Sequence, residues 1–311
     1  MIEEAQKRTA GLVIRTPVVR LNVEDAPCEI WLKLENLQPT GSFKVRGASN
    51  ALAVAGSEAK KRGVYTVSAG NMAQALAWRA KAMGIRCRVI VPDNAPQTKL
   101  DAIKRYGAEI VQTSFDQVWN VVVTHRYAAL EDSVFIHPFA DPRMIAGNGT
   151  IGLEILDDFP SVKTVIVPFG GGGLSTGIAS AIHAKRDDVQ VYACEPETAA
   201  PLAASFAKGS AQEIRRVPCF VDGAGGKSVL PEMWNLAKSL LHSSIVVTLR
   251  ETASALRLLL ERNRVVAEGA GAMSVAAALT GKTKSNRIVC VVSGGNIDSS
   301  VLTRILQGEI P

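Results

Sequence analysis

Two rhythms of apolar and polar positions alternate along this chain. Short runs of β-branched and other apolar residues give way to alanine-rich stretches whose apolar positions recur at helical spacing. The apolar runs predict strands over 30–34, 63–67, 87–91, 109–112, 134–136, 164–167, 190–194, 244–248 and 287–292. The intervening pattern predicts helices over 71–83, 98–106, 116–130, 150–156, 175–184, 198–207, 230–240, 252–262, 271–279 and 298–306. Strand and helix units that repeat in this way, with uniformly apolar strands, imply parallel sheets covered by helices on both faces. The expected class is therefore α/β. No sequence repeat, low-complexity segment or long linker interrupts the alternation.

Length and composition narrow the picture. At 311 residues the chain is long enough to divide into two lobes. It is 47% hydrophobic and 21% charged, as in an ordinary globular enzyme. The net charge of +6 is spread out, and the basic runs (Lys60-Lys61-Arg62, Arg215-Arg216) are too short to suggest nucleic-acid binding. A mild positive balance suits a small anionic substrate or a phosphorylated cofactor. The five cysteines are isolated and odd in number, which points to free thiols in a reducing compartment. The four histidines form no metal-binding pattern. The first residues read as a charged helix start, and no apolar run is long enough to span a bilayer. A cytoplasmic protein is expected, with no C-terminal regulatory domain after the last strand–helix unit.

Four segments carry chemistry. In Gly41-Ser-Phe43-Lys44-Val-Arg-Gly, a lysine follows a strand and a Pro-Thr-Gly turn, flanked by Phe43 and Val45. A lysine held among apolar neighbours can lose its proton and form a Schiff base. On this stretch alone a surface loop lysine is the simpler account. In Val167-Pro-Phe-Gly170-Gly171-Gly172-Gly173, a buried strand runs into four glycines and then a helix. Exposed amides and a helix N-terminus make an anion cradle suited to one phosphate group. Ser68-Ala69-Gly70-Asn71-Met72 is a third strand end entering a helix, suited to an N-cap or to a carboxylate or phenolic oxygen. Ser293-Gly294-Gly295 puts a hydroxyl at a fourth. An amine, a phosphate cradle and partners for a ring oxygen and a ring nitrogen together describe a site for pyridoxal phosphate.

In the order of these motifs, with Glu268-Gly-Ala-Gly-Ala and Ser293-Gly-Gly-Asn, the chain resembles the threonine dehydratase/serine racemase branch of the fold type II pyridoxal-phosphate enzymes. The resemblance runs from Arg15-Thr-Pro17 to Asn296. It implies two lobes, each a mostly parallel twisted sheet flanked by helices, with the cofactor in the cleft between them. Residues 1–47 and 141–311 would form a large cofactor-binding domain and 48–140 a small substrate-side domain. It implies that Lys44 carries the Schiff base and removes the α-proton, that Phe43 lies beside the ring, and that Asn71 bonds the ring hydroxyl. Gly170 to Gly173 would hold the phosphate and Ser293 would face the ring nitrogen. Ser68, Ala69 and Met72 would border the substrate. The implied reaction is loss of water from a β-hydroxy-α-amino acid to give a 2-oxo acid and ammonia, in a homodimer.

Several positions depart from that pattern. Ala69 stands where racemases carry a second serine, the acid–base on the opposite cofactor face, so racemisation is disfavoured. Met72 replaces a histidine. With Trp119 it suggests a more apolar pocket, open to a larger substrate such as phenylserine, although core packing accounts for both residues. Pro201 stands where a divalent-metal aspartate is expected opposite Glu195, so no metal site is predicted. A β-replacement enzyme and a non-catalytic ligand carrier are the remaining alternatives. The Ser-Phe-Lys-x-Arg-Gly context argues against the first and the intact Lys44, glycine loop and Ser293 against the second.

Overall fold

The computed structural model describes residues 1–311. Along the chain run α1 (Ile2–Thr9), β1 (Val18–Arg20), β2 (Glu29–Leu34), α2 (Lys44–Arg62), β3 (Val64–Val67), α3 (Asn71–Ala82), β4 (Cys87–Pro92), α4 (Gln97–Arg105), β5 (Glu109–Thr113), α5 (Phe115–Thr124) and β6 (Val134–Phe135). Then come α6 (Pro142–Asp158), β7 (Thr164–Pro168), α7 (Ser175–His183), β8 (Gln190–Pro196), α8 (Pro201–Lys208), α9 (Pro231–Leu240), β9 (Ser244–Val247), α10 (Leu249–Leu258), α11 (Gly269–Leu279), β10 (Arg287–Val292) and α12 (Ser299–Leu306). The chain divides into two compact units, one of Met1–Val13 with Lys44–Asn148 and the other of Ile14–Phe43 with Gly149–Pro311. The first 13 residues thus belong with the smaller unit, not the larger one that the sequence suggested. The reason is local: Arg8 of α1 bonds the Asn50 side chain of α2 at 3.2 Å.

The smaller unit is built on a four-stranded, wholly parallel sheet in the order β5-β4-β3-β6. All four residues of β3 are buried, as expected of a central strand covered on both faces. Its core joins Val64, Val89 and Val91 of the strands to Leu52, Leu76 and Met144 of the helices. The larger unit carries a six-stranded sheet, β1-β2-β10-β7-β8-β9, parallel except for the β1–β2 pair. Its core gathers Ile30, Leu32, Ile166, Ile288 and Val292 around Met273 and Val275 of α11.

Three differences from the expected elements have physical causes. α2 begins at Lys44 itself, in a segment whose Gly, Ser and Asn have poor helix propensity, and it is broken by a kink at Gly56, where φ is 50°. Tertiary burial makes it helical: Val45 to Leu52 are all buried. The helix expected over 116–130 stops at Thr124, because His125 turns left-handed at φ 59° and ends the hydrogen-bond ladder. The short antiparallel β1 has only three residues, too few to show a period. No helix is long and apolar enough to cross a membrane. All five cysteines are free, and Cys87, Cys194 and Cys290 are buried within strands.

Candidate active site

In a parallel sheet the carboxyl ends of the strands share one edge, and the loops that leave them converge there. The larger unit gathers three of the four candidate segments in this way. β10 lies between β2 and β7, with Val292 opposite Leu34 and Cys290 opposite Ile166. The loops after β2, β7 and β10 therefore leave side by side. The first brings Ser42 opposite Gly294 and Phe43 to Ser293, whose carbonyl accepts the Phe43 N–H at 3.0 Å. The Ser293 carbonyl is thereby spent, and its hydroxyl remains for another partner. Gly41, at φ 71°, packs so tightly on Asn296 that a Cβ there would sit 2.5 Å from its Oδ1.

The glycine loop follows β7. Phe169 donates its N–H to Cys194 O, and the Gly172 carbonyl receives Thr176 N–H and the Ser175 and Thr176 hydroxyls. Those bonds tie the loop to the first turn of α7. The N–H groups of Gly170, Gly171 and Gly172 make no hydrogen bond within the chain. Gly172 has φ 92°, and a Cβ there would lie 3.0 Å from the Phe169 ring and 3.1 Å from Met233 Cε. The loop therefore needs glycine for its conformation as well as for its bare backbone. Unpaired amides beside a helix N-terminus fit a phosphate group. In the turn after β2, Thr40 and Ser42 carry buried hydroxyls without a protein partner.

The smaller unit holds the other candidates. Lys44 is half-buried at the first position of α2. Its Nζ donates to Pro138 O at 2.5 Å. Pro138 follows β6, which is paired with β3 in parallel register through Tyr65 and Phe135, with Ile136 N–H bonded to Tyr65 O. Ser68 follows β3, so the lysine amine and the Ser68–Asn71 turn emerge at the same sheet edge. Ser68 Oγ accepts the Gly70 N–H at 3.1 Å, a local turn bond. Gly70 then caps α3 without any side-chain bond. Ala69 is partly buried against the unit's core. Met72 is 2% exposed and lies within that core. Trp119 is half-buried on α5.

Two features, one in each unit, escape a reading of the sequence. His137 is buried, and its Nδ1 accepts the N–H groups of Phe139 at 3.2 Å and Ala140 at 2.8 Å. Its Nε2 faces Val122 O at 3.1 Å. No spacing in the sequence links 122, 137 and 140, so only the fold could bring them together. Elsewhere, in the larger unit, Glu195 is committed to the start of α8. Its oxygens accept Leu202 N–H and Ala203 N–H, each at 2.8 Å, and the Ser244 hydroxyl at 2.7 Å. Pro201 opens that helix, at a position where the backbone N–H that proline lacks has no partner within the helix. A carboxylate so occupied, beside a proline, does not fit a divalent cation.

Residues 9–294 match the family model described as pyridoxal-phosphate dependent enzyme. The L-threonine ammonia-lyase of Thermotoga maritima is 40% identical over 311 residues, covering 98% of this chain and 77% of the relative. The catabolic L-threonine dehydratase of Escherichia coli K12 is 38% identical over 310 residues, covering 98% of this chain and 94% of the relative. Among solved structures, serine racemase from Dictyostelium discoideum superposes with a TM-score of 0.86 at 34% identity, over 96% of this chain and 97% of that one.

Proposed function

Because this chain belongs to the pyridoxal-phosphate-dependent enzymes of fold type II, in the branch of threonine dehydratases and serine racemases, we propose that it removes water from a β-hydroxy-α-amino acid of the L-threonine or L-serine type. The products are a 2-oxo acid and ammonia. The cofactor is pyridoxal phosphate. When bound, it supplies an aldehyde for the substrate amine and a ring that draws electron density from the α-carbon. Lys44 would hold the aldehyde carbon, Gly170 to Gly173 the phosphate, and Asn71 the ring hydroxyl. Phe43 would flank the ring and Ser293 would meet its nitrogen.

The chain's own residues then divide the work. Ser68 and the turn at the start of α3 hold the substrate carboxylate, which the helix dipole favours. Lys44 Nζ, once released by the incoming amino acid, takes the α-proton as general base. The ammonium so formed has an acceptor ready in Pro138 O. The β-hydroxyl departs as water with a proton returned by the Lys44 ammonium, and the released enamine takes up water to give the oxo acid and ammonia. Ser293, a neutral hydroxyl, cannot keep a ring nitrogen protonated as a carboxylate would. Charge at the α-carbon is then short-lived, which favours prompt elimination over transamination.

The observation that carries this reading is the contrast between Lys44 and Ala69. The smaller unit offers an amine at the start of α2 and a methyl group in the turn before α3. A methyl group moves no proton, so the reading of a one-sided base supports a lyase over a racemase. The burial of Met72 in the core supports a substrate of threonine or serine size over phenylserine. We further propose a homodimer. The test is release of 2-oxo acid and ammonia from L-threonine, L-serine, 3-hydroxyaspartate and phenylserine. Turnover with the first two and its loss in Lys44→Ala are expected; full activity in Lys44→Ala would overturn the mechanism.

A further inference from the structure

We propose that His137 is a positioning residue for Lys44: its imidazole locks the turn over residues 137–140 so that the Pro138 carbonyl faces the lysine amine and holds it whenever that amine is not covalently engaged. The inference rests on the assignment of Lys44 as the reactive amine.

The hydrogen bonds fix the state of the ring. Two backbone N–H groups, from Phe139 and Ala140, converge on Nδ1, which must therefore offer a lone pair. Nε2 faces the Val122 carbonyl and must carry the proton. An imidazole that accepts at one nitrogen and donates at the other is neutral. Its surroundings agree: burial, His125 and the Lys44 cation hold it uncharged, against Asp141 and the Val122 carbonyl, and push its pKa down to about 4. The ring is also clamped by neighbours, with Phe139 edge-on at 4.5 Å, Phe135 edge-on at 5.7 Å and His125 at 4.4 Å between centroids.

The turn has little freedom left. The ring claims the amides of residues 139 and 140, proline fixes φ at 138, and Asp141 starts α6 by accepting the Arg143 N–H at 2.8 Å. Between the pinned ring and the helix start, the Pro138 carbonyl keeps one direction, toward Lys44 Nζ. A flexible four-carbon side chain gains a fixed endpoint, which is what a base must have to meet the α-proton at one angle.

Three variants and one spectrum decide it. His137→Phe keeps the ring and removes the acceptor; in His137→Asn, Oδ1 takes the position of Nδ1. His137→Phe should lower kcat about tenfold with KM within about twofold, the rate equivalent of one net hydrogen bond. Its apoenzyme should form the Schiff-base absorbance with added pyridoxal phosphate about tenfold more slowly, and its melting temperature should fall because the amides of Phe139 and Ala140 lose their acceptor. His137→Asn should stay within about threefold of the native protein on both measures. Native rates in a folded His137→Phe would overturn the proposal. Lys44→Ala separates the two claims: if it is inert while His137→Phe is normal, only the positioning role falls. If it turns over, the assignment of Lys44 falls as well. Should His137→Phe not fold, ¹⁵N spectra of the native imidazole decide, because a proton on Nδ1 at neutral pH would exclude the lock.

Discussion

Lys33 Nζ lies 2.6 Å from Glu154 Oε2, and the lysine side chain has no exposed surface. The same ammonium donates to Thr16 O at 2.6 Å, and the Thr16 hydroxyl bonds Glu35, which also receives Gln38. A buried ion pair gains little over an apolar pair of the same shape, but a widowed charge is expensive. Glu154→Ala would leave Lys33 only the more distant carboxylate of Asp158, at 3.8 Å, and should cost about 3 kcal/mol in urea unfolding. The double change Lys33→Met with Glu154→Leu should recover most of that loss. Equal losses in the single and double variants would mean that the polar network as a whole, not the unpaired charge, sets the cost.

Two buried groups tilt the pH dependence of stability in opposite directions. His137 is held down at about 4 by burial, so the unfolded chain binds the proton first. Its contribution is complete above about pH 6.5 and is lost as pH falls toward 4. Glu195 is pushed up to about 7 by burial, against its three hydrogen bonds. Its folded form prefers the proton, so its contribution is present below about pH 4.5 and is lost as pH rises through 7. Glu195→Gln should leave the His137 slope exposed, with stability rising by about 2–3 kcal/mol between pH 4 and 6.5. His137→Asn should show the reverse trend. Denaturant midpoints across this range measure both, and parallel profiles in the two variants would refute the assignment.

Gly172→Ala tests the phosphate loop. A Cβ would press on Phe169 and Met233 in a left-handed backbone, and the cost should appear in cofactor affinity as well as stability. Titration of the apoenzyme with pyridoxal phosphate should show at least about tenfold weaker binding, since about 1.4 kcal/mol of strain suffices. Gly70→Ala, where the added Cβ meets nothing within 4 Å, serves as the stability control.

Ala69→Ser adds a hydroxyl at the turn before α3. If Lys44 now works from one side alone, the new group should bring measurable formation of D-serine from L-serine, read by chiral chromatography, while elimination slows. Absence of any D-serine would show that more than this one hydroxyl separates lyase from racemase.

The commitment of Glu195 to α8 predicts indifference to magnesium. Chelation and readdition should move neither the melting temperature nor the turnover of the holoenzyme. Activity restored by magnesium after chelation would mean that the carboxylate leaves Leu202, Ala203 and Ser244 to bind metal.

Strand positions and the glycine loop could be read from the sequence because they rest on local signals. Apolar runs such as Val289 to Val292 and four consecutive glycines carry their meaning wherever they occur. The sequence singles out Lys44 as the candidate Schiff-base residue but does not show it as the first residue of a helix, because the segment after it is helical through burial rather than propensity. The His137 lock was invisible for a related reason. Its partners come from the end of α5 and from the following turn, and the parallel pairing of β6 with β3 aligns them. Glu195 could be read as present but not as a helix cap, since that depends on where α8 begins.

Helix α11 has no wet side: Gly269 to Ala278 are all buried, among the strands and helices of the larger unit. Fraying from one surface cannot release its amides, because every face is covered. They should be among the last protons in the larger unit to exchange with deuterated solvent, at a rate set by opening of that unit as a whole. Slow exchange there would therefore report the global stability of the half that carries the glycine loop, independently of turnover.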